Sequence, residues 1–375
     1  MQLGPRRAAP VVQVAGPALV LVVGRGAVRA ARRAFRATEV LEPPEDPRPW
    51  LADGRLVAVP LEEPDPGTIR ALLAAAQHAD RAVDAIVIGP AGDALPLGRL
   101  RTVTDVDDAA FSVEPVPAVS DLRDRHGPFD LIGDVHGCLE ELLLLLARLG
   151  FEVHLDAAGR PAGAHHPAGR TAVLLGDLVD RGPDVAGVLR LVLGMLATGD
   201  ALAVLGNHDD KLHRALLGRD VEVTGGLDVS LAQLAQQPVA FRAAVEAALG
   251  GLPAHLVLDD GRLVVAHAGL AERYHGHESA RVRALCLYGP TTGATDEHGV
   301  PDRAPWADDY RGDALVVYGH TPTAVRELRH GTVCIDGGCV FGGALVALRY
   351  PERTFVEVAA LARHSAPARP FLPAG

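Results

Sequence analysis

An aspartate and a histidine two residues apart, Asp134 and His136, sit between glycines in Gly133-Asp134-Val135-His136-Gly137, directly after the apolar run Phe129 to Ile132. At a strand end the glycines keep the turn tight and leave room for a cation, and both side chains can face one hydrated pocket. Four more polar clusters follow, each behind an apolar, strand-like run. Gly176-Asp177-Leu178-Val179-Asp180-Arg181-Gly182-Pro183 follows Thr171 to Leu175, and Gly206-Asn207-His208-Asp209 follows Ala201 to Leu205. His267-Ala268-Gly269 follows Arg262 to Ala266, and Gly319-His320-Thr321-Pro322 follows Ala314 to Tyr318. Any one of these has an ordinary explanation: a histidine in a glycine turn is commonly a hydrogen-bonded surface residue, and Asn207 can cap a helix. Their repetition argues for a single site, because ligands of open α/β sheets bind at the carboxyl ends of the strands. Carboxylate, imidazole and amide oxygen together suit a divalent manganese, iron, zinc or nickel ion. Two such ions about 3.5–4 Å apart, bridged by one carboxylate, clamp a phosphoryl group and activate a water.

The elements that must hold these clusters follow from periodicity. Leu139 to Leu149 is a helical run behind the first cluster. Earlier in the chain, strands are expected at Ala18 to Gly24, Arg55 to Val59 and Asp84 to Ile88, with helices at Ala27 to Phe35 and Pro66 to Gln77 between them. That alternation predicts a small parallel α/β unit. Its first turn, Gly24-Arg25-Gly26, stands where a phosphate-binding loop would be, but Ala27 and Val28 replace the lysine and hydroxyl such a loop needs. Nucleotide binding is therefore not expected there, and Arg25 or Arg29 is left as an anion contact. Pro90 to Pro117 lacks periodicity and is expected to be an irregular connection, with a domain boundary near residue 120. Asp220 to Gly251 is expected to be helical from the spacing of Leu231, Leu234, Phe241, Ala244 and Leu249. With Ala271 to Tyr310 it forms a cap, about 220–312, whose Arg281, Arg283, Arg303 and Arg311 are backbone contacts for a nucleic acid or ordinary solvated side chains. Asp336 follows a strand and is expected to orient a metal-binding histidine. His154, His165 and His166 lie in a polar Gly/Pro loop and are expected to be exposed and uninvolved.

Bulk properties narrow the partners. The 375 residues are 48% apolar and suffice for two domains. A formal charge of −11 argues against nonspecific nucleic-acid binding but leaves recognition of a phosphate end open. Cys138, Cys286, Cys334 and Cys339 form no dense framework, which suits reduced thiols in a cytoplasmic protein. The apolar run Val11 to Val23 is interrupted by Gly16 and Pro17 and is too short to span a bilayer. Arg6 and Arg7 precede it, but no small-residue cleavage site follows, so no membrane association is expected.

In order, G-D-x-H-G, G-D-x-x-D-R-G, G-N-H-D, H-A-G and G-H-T-P resemble the calcineurin-like metallophosphoesterases. The resemblance implies a β-sandwich of two mixed sheets flanked by helices, with two divalent metals at the strand ends. It implies that Asp134 and His136 bind the first metal, that Asp177 bridges the pair, and that Asn207, His267 and His320 bind the second. It also implies that His208, held by Asp180, protonates the leaving oxygen and that Arg181 binds phosphate oxygens.

A longer resemblance rests on Gly127-Pro128-Phe129-Asp130, on Leu285 to Glu297, on Trp306 with Tyr310-Arg311-Gly312, and on Cys339 to Gly343 with Leu348 to Arg353. These stretches look like the phosphatase module of bacterial polynucleotide kinase-phosphatases. That likeness implies action on phosphomonoesters or 2′,3′-cyclic phosphates at RNA or DNA ends, in RNA repair, with manganese or nickel, while the donor set leaves iron or zinc as alternatives. Residues 1–120 resemble a degenerate P-loop kinase-like domain through Ala31 to Phe35 and Thr38 to Leu41, with Pro44 where the catalytic aspartate would stand. The metallophosphoesterase domain is then expected over residues 121–375 with no ligase-like domain behind it, and the resemblance implies a separate kinase or ligase partner. Asp336-Gly337-Gly338 departs from the family's Asp-Thr-Gly. The metal motifs alone also fit a protein Ser/Thr phosphatase or a dinucleoside polyphosphate hydrolase. A regulatory binding protein with a kinase-like docking domain is the reading from outside the enzymes.

Overall fold

In the computed structural model, which describes residues 11–369 except 17, 25, 36–38, 42–44, 53, 54, 64, 89–101, 107–110 and 298, alternation along each strand sorts side chains between layers. Arg6, Arg7, Arg25, Thr38 and Pro44 lie outside the described residues. The chain divides into two compact units, Met1–Val119 with Gly276–Val282, and Ser120–His275 with Arg283–Gly375.

The first unit contains β1 (Val11–Gly16), β2 (Ala18–Val23), α1 (Ala27–Ala34), α2 (Arg48–Ala52), β3 (Val57–Leu61), α3 (Pro66–His78), β4 (Ala82–Ile88), β5 (Thr102–Val106) and β6 (Ser112–Pro117). Strands β3-β2-β4-β5 form a sheet in that order, every pair parallel. Leu19, Leu21 and Val59 pack toward Ile69, Leu72 and Leu73 of α3, while Val20, Val22 and Ala58 pack toward Ala27, Ala30 and Ala31 of α1. A parallel sheet covered on both faces accounts for the near-continuous apolar runs. The apolar stretch Val11 to Val23 is two strands, and β1 pairs in parallel with β6 in a separate ribbon. The irregular connection expected over Pro90 to Pro117 is corrected by β5 and β6. Pro115 and Pro117 hid β6, yet a strand paired on one side tolerates the missing N–H groups. At the start of α1 the Glu62 carboxylate accepts from Gly26 N at 2.9 Å and Val28 N at 3.2 Å. A protein carboxylate thus takes the amides that a phosphate-binding loop would offer to a ligand.

The second unit is built on two five-stranded mixed sheets. Its elements begin with β7 (Asp121–Leu122), β8 (Phe129–Ile132), α4 (Leu139–Leu149), the hairpin β9 (Glu152–Leu155) and β10 (Pro161–His165), β11 (Thr171–Leu174), α5 (Val185–Thr198) and β12 (Ala201–Ala203). They continue with α6 (Asn207–Leu216), α7 (Leu227–Ala235), α8 (Val239–Gly251), β13 (His255–Leu258), β14 (Leu263–Ala266), α9 (Ala280–Tyr288, of which residues 280–282 group with the first unit), β15 (Thr291–Thr295) and β16 (Pro301–Arg303). The last are α10 (Trp306–Asp309), β17 (Leu315–Tyr318), β18 (Thr332–Cys334), β19 (Ala344–Tyr350) and β20 (Thr354–Ala359). One sheet runs β12-β11-β8-β19-β20 and the other β18-β17-β14-β13-β7. Leu131, Val173, Val346 and Leu348 of the first meet Leu256, Val265 and Val317 of the second in the sandwich core. Their alternates Ile132, Ala172, Leu174 and Ala347 face the leucines of α4 and the apolar face of α5. Truncating one of these buried leucines to alanine is expected to cost about 2–5 kcal/mol.

The single helical stretch expected over Asp220 to Gly251 is corrected to α7 and α8. Residues 220–226 are not helical, and Pro238 caps α8 because proline cannot continue α7. His154 and His165 are likewise not in a loop: they stack across the β9–β10 hairpin, ring centroids 4.7 Å apart. His166 is half-buried and donates from Nε2 to Leu149 O at 3.1 Å.

Buried Arg170 ties the first sheet together. It donates to both carboxylate oxygens of Asp130 at 2.9 Å, to Glu352 at 2.8 Å and to Phe129 O at 2.8 Å. Arg170→Ala leaves the fully buried Asp130 with one fewer counter-charge, and a loss of about 3–5 kcal/mol is expected in urea unfolding. A loss below about 1 kcal/mol would show the cluster to be dispensable.

Candidate active site

Strand ends bring the five sequence clusters into one depression. β8 delivers Asp134 and His136, β11 delivers Asp177, Asp180 and Arg181, and β12 leads into Asn207 and His208 at the start of α6. β14 ends before His267 and β17 before His320. His136, Asp177, Arg181, Asn207, His208 and His320 line one pocket of about 570 Å³. His136, Asp177, Asp180, Arg181 and His320 all take positive φ, between 45° and 73°. Non-glycine residues in that region cost of order 1–3 kcal/mol each, so packing elsewhere holds the site in its shape. At Gly319 a Cβ would run into Asp134 Oδ1, and at Gly226 into Arg181 N, so glycine is required at both.

Hydrogen bonds fix which nitrogen faces the pocket. His136 Nδ1 donates to Val179 O at 2.7 Å and His267 Nδ1 to Leu175 O at 2.9 Å, leaving both Nε2 lone pairs turned inward. Asp177 Oδ2 lies 3.5 Å from His136 Nε2 and 3.4 Å from His267 Nε2. Asn207 Oδ1 is 3.0 Å from His267 Nε2 and 2.9 Å from His320 Nδ1. Two groups of closely spaced donor atoms share Asp177: His136 and Asp177 with His208 beside them, and Asp177 with His267 and His320. Asp134, expected beside His136, accepts from His320 N through Oδ2 at 3.0 Å, while its buried Oδ1 has no hydrogen-bond partner. An orphaned carboxylate oxygen beside neutral imidazoles and a shared carboxylate is a donor set that fits divalent cations.

Electrostatics point the same way. Burial, then Asp336 and Asp177, holds the Asp134 carboxyl well above the usual range. Burial also lifts Asp336 to about 7, with Asp177 adding to the rise and the Gly338 amide opposing it. Burial opposes ionisation of Asp177, yet the imidazoles of His267, His208, His136 and His320 outweigh it and hold its pKa below the usual range. Burial pushes His136, His267 and His320 down, which keeps them in the neutral form that binds metal.

Between the unfolded aspartate value near about 4 and the folded value of about 7 for Asp336, the folded chain binds more protons than the unfolded one. The stability that this proton contributes is full below about pH 4 and is lost as pH rises through about 7. A cation competes with that proton. Manganese added to metal-stripped protein is therefore expected to raise Tm more at about pH 8 than at about pH 5.5. Equal shifts in scanning fluorimetry at the two pH values would mean that these carboxylates do not hold the metal.

The opposite wall is built around His208. His208 Nδ1 donates to Asp180 Oδ2 at 2.6 Å. Buried Ser230 Oγ donates to the other Asp180 oxygen at 2.5 Å and accepts from Asp180 N at 2.9 Å. Arg181 donates its fork to His136 Nε2 and His208 Nε2 and lies 5.1 Å over the Phe341 ring. Asp209 accepts from Leu178 N and Gly206 N, both at 3.0 Å, and so pins two of the site loops to each other. Asp336, expected to orient a histidine, instead faces Asp134 and accepts from Gly338 N at 2.9 Å. Of the four cap arginines, Arg303 reaches the site, donating to His320 Nε2 at 2.7 Å. Arg283 pairs with Asp210 and Arg311 donates to main-chain carbonyls. Ser230 and Phe341 carry no assigned role in the sequence reading. Phe341 stood in the quoted Cys339–Gly343 stretch, while an isolated serine on α7 gave no signal.

The model of the calcineurin-like phosphoesterase family matches residues 127–324. The bis(5′-nucleosyl)-tetraphosphatase PrpE [asymmetrical] of Anoxybacillus flavithermus is 43% identical over 234 residues, covering 61% of this chain and 93% of the relative. The protein of the same name from Geobacillus thermodenitrificans is 44% identical over 233 residues, with the same coverage. A solved structure of a candidate diadenosine tetraphosphatase is 28% identical and covers 64% of this chain and 96% of its own, with a TM-score of 0.46.

Proposed function

The chain belongs to the calcineurin-like phosphoesterase family of metal-dependent phosphate-ester hydrolases, and from that premise we propose that its substrate is a dinucleoside polyphosphate, cleaved asymmetrically. The observation that carries this reading is the 43% identity to the asymmetrical tetraphosphatase over 93% of that protein's length. Asp134, His136 and Asp177 would hold one cation, and Asp177, Asn207, His267 and His320 the other, manganese first and nickel, iron or zinc as alternatives. When bound, such a pair polarises the phosphoryl group and lowers the pKa of the attacking water.

The chain's own groups do the rest. Arg181, stacked on Phe341, presents a planar fork to two phosphoryl oxygens. Once a phosphate takes that fork, His208 Nε2 is freed from Arg181 and is placed to protonate a leaving oxygen that needs a proton. Asp180, itself held by Ser230, keeps the imidazole turned with Nδ1 away from substrate. Arg303 adds positive charge beside His320 for phosphates beyond the scissile one.

The test is product analysis. With manganese, the purified protein is expected to convert diadenosine tetraphosphate to ATP and AMP, resolved by anion-exchange chromatography. Parallel arms carry oligonucleotides ending in 3′-phosphate or 2′,3′-cyclic phosphate, the substrates implied by the polynucleotide-type stretches, and a phosphoserine peptide. Turnover confined to the oligonucleotides would replace the tetraphosphate with nucleic-acid ends, and turnover confined to the peptide would make the protein a phosphoprotein phosphatase.

A further inference from the structure

One side of the pocket mouth is closed by a segment that no motif marks. After β20, Ala360 N donates to Gly343 O at 2.8 Å and Leu361 N to Glu141 Oε1 at 2.9 Å. His364 N and Ser365 N then both donate to Val340 O, at 3.0 and 3.1 Å, next to the Phe341 that stacks on Arg181. The run His364 to Arg369 lines the same pocket as His136, Asp177 and His320. At its far end Arg369 pairs with Asp296 at 3.4 Å, in the turn that joins the hairpin strands β15 and β16, and β16 carries Arg303. The strap is thus tied to the floor at Val340 and to the hairpin at Asp296.

From this geometry we infer that residues 364–369 form the wall that selects what is attached to the scissile phosphate, an inference that rests on the phosphoanhydride reading above. The floor of the pocket is charged: Asp177, the imidazoles and Arg181. The middle of the wall is not: Ala366, Pro367 and Ala368, with Phe341 and Val300 alongside, offer short apolar surfaces. Alanine and proline lose almost no side-chain freedom when a ligand lies against them. A nucleoside tied to a phosphate chain matches this pairing, its flat base against the apolar wall and its phosphates over the floor. A phosphoserine on a folded protein surface is a poor match, because the wall stands where that surface would approach.

Two variants test the wall: a chain ending at Ser365, and Arg369→Ala, which keeps the length and releases the far tie. Each is assayed with diadenosine tetraphosphate, p-nitrophenyl phosphate and a phosphoserine peptide. For the tetraphosphate, kcat/KM is expected to fall about tenfold through KM, with p-nitrophenyl phosphate, which carries neither a nucleobase nor further phosphates, within about twofold. Peptide turnover relative to p-nitrophenyl phosphate is expected to rise about tenfold when the wall is cut. A common factor on all three substrates, or no change, overturns the inference. If the intact protein leaves the tetraphosphate untouched, the substrate proposal fails by itself. The peptide-to-aryl ratio then decides the wall separately: a rise sustains it and an unchanged ratio removes it.

Discussion

Asp177→Asn is expected to lower kcat by at least about a thousandfold on every phosphate ester while leaving the fold intact. One oxygen of this carboxylate lies within 3.5 Å of His136 Nε2 and 3.4 Å of His267 Nε2, and the other accepts from His208 N at 3.0 Å. The amide keeps the shape and can keep the bond to His208 N. It loses the charge and places an NH₂ among lone pairs that need a cation. The same charge raises the carboxyls of Asp134 and Asp336. Its removal relieves that repulsion but also forfeits the imidazole interactions that hold Asp177 below the usual carboxylate range, so the Tm of the metal-free form does not decide the role. The informative readout is therefore the manganese-induced shift in Tm, which should largely vanish along with activity. Retained activity with an unchanged shift would remove Asp177 from the shared position. Loss of activity with a collapsed circular dichroism spectrum would make the residue structural.

The part of the site that was legible in the sequence is the part that sits at strand ends. Asp134, Asp177, Asn207, His267 and His320 stand beside short apolar runs, so motif and element announced one another. Two contributions away from the motifs, Ser230 on α7 and the tail, were not legible. Ser230 is fifty residues from Asp180, and α7 carries it at a position where any small buried residue would satisfy the pattern. The tail at residues 364–369 has no periodicity because main-chain bonds to Val340 hold it, not an apolar face. Glu62 shows the same limit in the first unit. Missing lysine and hydroxyl argued against phosphate binding, but that a carboxylate caps α1 depends on β3 lying beside β2. The broken helix over 220–251 marks the cost of counting leucines without weighing Pro238 and the Gly225-Gly226 pair.

His208→Ala separates general-acid chemistry from positioning, because its effect depends on what leaves. An alkoxide is a poor leaving group and gains most from a proton, so kcat on a simple alkyl phosphate such as glycerol phosphate is expected to fall about a hundred- to a thousandfold. In a tetraphosphate the leaving group is itself a phosphate, with a second pKa near about 6, and departs without help near neutrality. There the loss is expected to stay at about tenfold, the remainder reflecting the bond from Arg181 Nη2 to His208 Nε2 at 2.8 Å that helps to place the guanidinium. Ser230→Ala should follow the same selectivity with a smaller amplitude. It leaves Asp180 N and one Asp180 oxygen unpaired, at about 1–3 kcal/mol, and lets the imidazole turn without removing it. Parallel rate measurements on glycerol phosphate and diadenosine tetraphosphate give the ratio directly. Equal losses on the two substrates would assign His208 to binding alone. A selective loss would place the proton on the side of the leaving oxygen and would explain why Asp180 and Ser230 hold the opposite nitrogen so closely.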